Sequence, residues 1–96
     1  GPGALPTEQA RALLADNEIT LGFLLLEFPR ASDAVTWFRR AVERIPDHAA
    51  AQLGLGRALA RVGDRDGARA AYEQALRLRP GWPDALRGLS ELPQSE

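Results

Sequence analysis

Residues Gly63 to Pro80, GDRDGARAAYEQALRLRP, decide the fold. A glycine turn leads into an amphipathic stretch that carries small and large apolar residues in turn, and a proline stops it. The same order stands one period earlier in Pro29 to Pro46, PRASDAVTWFRRAVERIP. Ala68, Tyr72, Ala75 and Pro80 fall 34 positions after Ala34, Phe38, Ala41 and Pro46 (80 − 46 = 34). Upstream, Leu55 and Gly56 repeat Leu21 and Gly22 at the same interval. A gap-free repeat of this length marks a solenoid of helix–turn–helix units.

This set of residues resembles the tetratricopeptide repeat (TPR) family. The second unit supplies Leu55-Gly56, Leu59, Ala68, Tyr72, Ala75 and Pro80, and the first supplies Leu21-Gly22, Leu25, Ala34, Phe38, Ala41 and Pro46. Both depart from the family at its leading tryptophan, where Glu18 and Gln52 stand, and Pro29 takes the place of the turn glycine Gly63. The resemblance spans residues 15–91. It implies an all-α fold, a right-handed superhelix of antiparallel helix pairs with two full repeats and a C-terminal capping helix.

Ninety-six residues suit one small domain. The chain opens Gly-Pro-Gly and holds no methionine, so residues 1–3 read as the scar of a cleaved tag and the rest as a piece of a longer protein. Residues 4–14 are expected to form an N-terminal helical extension, 15–48 the first unit, and 49–82 the second. Residues 83–92 follow as a cap and 93–96 as a disordered tail. There is no cysteine, which excludes disulfides and thiolate chemistry and fits a reducing, cytoplasmic compartment. All twelve basic residues are arginine, which reads as coding bias toward GC-rich codons. A net charge of −1 gives no electrostatic case for nucleic acid. No apolar run reaches the ~20 residues needed to cross a bilayer.

Taken in order, Thr7 is a candidate N-cap, and a break is expected near Ala15–Asn17, where Asp16 or Asn17 can restart the chain. The first repeat helix, Glu18 to Phe28, has almost no polar face. Leu21, Leu25 and Phe28 are expected to face the unit's second helix. Ile19, Phe23, Leu24 and Leu26 then need another cover: the N-terminal segment, a preceding element, an apolar ligand or a second copy. Ser32 and Asp66 are expected to cap the second helices, and Asp47 the helix whose inner stripe is Leu55, Leu59 and Val62. Glu73 and Arg77 are spaced as a surface pair. Pro83 suits a first helical turn, with Leu86 and Leu89 on one face. Helix ends are expected near Phe28, Ile45, Val62, Arg79 and Leu92.

Nothing in the sequence carries catalysis. His48 is the only histidine, has no cysteine to join it, and reads as an exposed turn residue. Asp64 and Asp66 belong to a turn and cap, and Gly54 and Gly56 to close helix packing. No catalytic, cofactor-binding or metal-binding residue is expected. The resemblance instead implies a non-catalytic protein–protein interaction module. First helices of successive repeats line a concave groove, here presenting Ile19, Phe23, Leu26, Leu53, Arg57, Arg61 and Arg87 to a peptide or helix that is apolar with at least one acidic group. Arg57 and Arg61 are expected to face solvent. The carboxylate clamp of one TPR subset is absent, since Ile19, Phe23, Gly54, Asp84 and Gly88 occupy its places. Two other readings stand beside the adaptor: a self-association scaffold, and an accessory segment of a larger enzyme or assembly protein.

Overall fold

The computed structural model describes residues 7–93, which form five α-helices and, among the described residues, no strand. They are α1 (Thr7–Leu26), α2 (Ala31–Arg44), α3 (Ala49–Arg61), α4 (Arg65–Leu78) and α5 (Pro83–Glu91). Consecutive helices pack on one another, with lighter contacts from α1 to α3 and from α3 to α5. This is the all-α stack of helix pairs that the repeat implies. The tag scar, residues 4–6 of the expected N-terminal extension and residues 94–96 of the tail lie outside the described residues.

The second helices follow their pattern. Ala34, Phe38 and Ala41 are fully buried on α2, and Ala68, Tyr72 and Ala75 are buried on α4. Each helix stops just before its proline, which lacks an N–H and disfavours helix at the preceding residue. The two aromatic rings occupy slots made by glycines. A Cβ on Gly22 would lie 2.6 Å from the Phe38 ring, and one on Gly54 would also collide with that ring. Tyr72 stands in the same relation to Gly56 and Gly88. Thus each second-helix aromatic wedges between its own first helix and the next, which lets the backbones approach closely.

Several local expectations are corrected. α1 does not break at Ala15–Asn17 but runs unbroken through all 20 residues. Of the two expected restart caps, Asp16 has another partner, its Oδ1 lying 3.4 Å from His48 Nε2, and close by on the helix Glu18 Oε1 accepts from Arg44 Nε at 2.6 Å. His48 is accordingly half-buried, not an exposed turn residue, and it holds the N-cap position of α3 that Asp47 was expected to fill. The cap of α4 is Asp64, whose carboxylate accepts from the Gly67 N–H at 2.9 Å, whereas Asp66 sits in the first turn. α2 starts at Ala31 after Arg30, with no side-chain cap from Ser32. Arg77 bonds Gln74 at 2.8 Å in place of Glu73.

The inward face of α1 also differs. Ile19 and Leu26 are buried, whereas Leu21 and Phe28 are 40% and 57% exposed. The reason is Gly22, which must face Phe38 and so fixes the rotation of the helix. Ala15, Glu18, Ile19, Gly22 and Leu26 then fall on one side at i, i+3, i+4, i+7 and i+11. At the other end, Ala85 and Leu92 are buried and Leu89 half-buried, while Leu86 is turned out. Val62 is likewise exposed, outside the Leu55–Leu59 stripe.

Candidate partner-binding groove

The first helices α1, α3 and α5 are held side by side because α2 and α4 wedge between them. Equivalent positions therefore form a ladder across the three: Phe23, Arg57 and Glu91, each 34 residues from the last (57 − 23 = 34). Phe23 is half-buried, its ring edge-on to Phe38 with centroids 4.9 Å apart and planes at 76°. The Arg57 guanidinium lies 6.0 Å from the centre of the Phe23 ring and 3.9 Å from Asp84 Oδ2. Its side chain is 41% exposed, so both contacts leave it open to water.

Next to this row lies a cleft of about 260 Å³ lined by Arg57, Ala60, Arg61, Tyr72 and Glu91. Tyr72 is 3% exposed and forms its wall. Burial pushes the Tyr72 phenol above its ordinary value, while Arg57 pulls it down and Glu91 raises it further. The other arginine of the cleft is tethered. Arg61 donates to the Leu26 carbonyl at the C-terminal end of α1. That bond satisfies one of the carbonyls a helix end leaves without a partner, and it places positive charge where the helix dipole is negative. Arg61 faces solvent, as expected, but one end of its guanidinium is held, so that it joins two units.

Of the other groove positions, Ile19, Leu26 and Leu53 are buried in the core, and Arg87 on α5 is exposed. The accessible part of the row is thus Phe23, Arg57, Arg61 and Arg87. Glu91 is legible in the sequence as the third rung after Phe23 and Arg57. Register reasoning missed Tyr72, which lies on a second helix and shows its edge only once the helices are stacked. Among the described residues, no helix is long and apolar enough to cross a membrane.

The fold and this groove define a helical-repeat protein of the solenoid class, with first helices facing a shared surface. The family model for the tetratricopeptide repeat matches residues 25–92, and the chain belongs to that family. Its repeats generally serve as protein–protein interaction modules and are typically non-catalytic. No curated protein matches the chain.

Proposed function

We propose that the groove binds a short extended peptide or a helix of a partner protein, placing an apolar side chain on Phe23 and a carboxylate on Arg57. The observation that carries this reading is the position of Arg57. Its guanidinium sits at the centre of the three-helix row, beside an aromatic ring, lining a cleft, and still partly exposed. An arginine in that setting offers a planar donor fork to a carboxylate. Its present partner, Asp84, is 3.9 Å away and 43% exposed, a surface pair of at most about 1 kcal/mol that an incoming acid can replace. Arg87 adds positive charge on α5, whereas Glu91 disfavours acidic groups at that rung, so the ligand's acid is expected on the Phe23 side of Arg57. Ile19, Leu26 and Leu53 support the surface from within.

The test is an array of ten-residue peptides in which an acidic residue is flanked by leucine or phenylalanine, with amide chemical shifts followed on binding. Shifts at Phe23, Arg57 and Ala60, and at least about tenfold weaker binding by Arg57→Glu, are expected. Binding that leaves these amides unmoved, or that Arg57→Glu does not weaken, overturns the reading. Arg57 is the position to reverse, because reversing Arg61 also breaks its bond to the end of α1.

A further inference from the structure

α1 carries a row of exposed apolar side chains that the groove does not use. Leu14, Leu21, Leu24 and Phe28 are 46%, 40%, 51% and 57% exposed, with Leu13 beside them at 52%. With Asn17, positions 14, 17, 21 and 24 of α1 follow the alternating three–four spacing of a coiled-coil seam, and Phe28 extends the apolar row into the turn after the helix. None of these positions holds a charge, so covering them desolvates no ion.

The repeat register shows what covers such a face elsewhere in the chain. Thirty-four positions after Leu21 and Leu24 stand Leu55 and Ala58 (55 − 21 = 34), 8% and 0% exposed, on the helix that α2 packs against. That close approach depends on Gly54, which has no Cβ to meet the Phe38 ring, and Gly88 makes the same space for Tyr72. The equivalent residue on α1 is Thr20, and Ala51 and Ala58 are replaced by Asn17 and Leu24. A helix of the α2 or α4 type, with an aromatic wedge, therefore finds no notch on α1. Projecting leucines at heptad spacing fit a helix that offers the same ridge in return.

We propose that this face is an interface between two copies of the chain, their α1 helices packed antiparallel about a twofold axis near Leu21. A self-complementary seam needs only one surface, as a twofold dimer does. The exposed side chains present on the order of 400 Å² of apolar surface per copy, so with their margins the pair buries about 1,000 Å², the lower bound for a specific interface. Antiparallel α1 helices also set opposite dipole ends together. The proposal does not rest on the peptide-binding reading, since neither Arg57 nor Arg87 takes part.

Sedimentation equilibrium at roughly 10–100 µM tests it, in the range where an interface of this size associates. A two-chain mass is expected, with the dissociation constant raised at least about 100-fold by combining Leu21→Glu and Leu24→Glu while circular dichroism stays unchanged. The chain has no cysteine. Leu21→Cys should therefore oxidise to a covalent dimer, and Arg87→Cys should not. A single-chain mass throughout this range assigns the face to a different protein and overturns the proposal. A dimer that survives the double variant, or a Leu21→Cys protein that fails to cross-link, overturns it equally. The cysteine pair decides the matter even if the double variant does not fold.

Discussion

Gly54 lies so close to the ring of Phe38 that the helix at that point has no room for a Cβ. Two effects of Gly54→Ala oppose each other. Alanine gains about 1 kcal/mol of helix propensity over glycine. Overpacking a filled contact costs about 1–3 kcal/mol, and here the ring is also held from the other side by Gly22. Packing wins, so Gly54→Ala should lower stability by about 1–2 kcal/mol in urea denaturation. Combined with Phe38→Leu, it should cost less than the two separate losses added, because the smaller side chain relieves the collision. Additive costs would show that the contact is not the cause.

The cap of α4 gives a second comparison. Asp64→Ala removes the acceptor for the Gly67 N–H and should cost about 1 kcal/mol, the usual loss at an N-cap. Asp66→Ala removes a side chain that is 84% exposed and touches only its neighbour Arg65, so its cost should stay below about 0.5 kcal/mol. Urea midpoints of the two variants should differ in that order, and the reverse order would return the cap to Asp66.

The sequence shows the second helices plainly because α2 and α4 carry strong contrast: Ala34, Phe38 and Ala41 alternate with arginine, aspartate and glutamate, and a proline closes each helix. It is much less informative about α1. From Ile19 to Phe28 almost every residue is apolar, so periodicity does not distinguish the face turned inward. What chooses is tertiary: Gly22 must meet Phe38, and Glu18 must reach Arg44. The groove divides in the same way. Its rungs at 23, 57 and 91 can be counted along the chain. The tether from Arg61 to Leu26 and the burial of Ile19 and Leu53 depend on how closely the units stack.

Neighbouring leucines on α1 should therefore respond very differently to truncation. Leu26 is 6% exposed and Leu24 is 51% exposed. Leu26→Ala should cost about 2–4 kcal/mol, through lost burial and the cavity it leaves. Leu24→Ala should cost under about 1 kcal/mol when measured in dilute solution, where association makes no contribution. Equal losses would mean that α1 is rotated from the orientation described above.

Tyr72 is the only tyrosine in the chain, so its phenol can be titrated alone by near-ultraviolet absorbance. Burial raises its pKa above the ordinary 10.0, against the pull of Arg57 and with a further push from Glu91. The folded protein thus holds this proton at a pH where the unfolded chain has lost it. The stability linked to Tyr72 is fully present below pH 10.0 and is lost as pH rises from there through the folded value. Arginine stays charged across this window, so the groove's positive charges do not confuse the result. The native absorbance midpoint should lie above 10.0, and stability should fall over the same interval. Phe38 fills the equivalent slot in the preceding unit without a hydroxyl, so Tyr72→Phe should keep stability at neutral pH within about 1 kcal/mol. The variant should also lose the part of the alkaline decline that Tyr72 causes. A native midpoint at or below the ordinary value would mean that the phenol is not desolvated by α3 and α5, and that the cleft wall is more open than the packing of Gly56 and Gly88 requires.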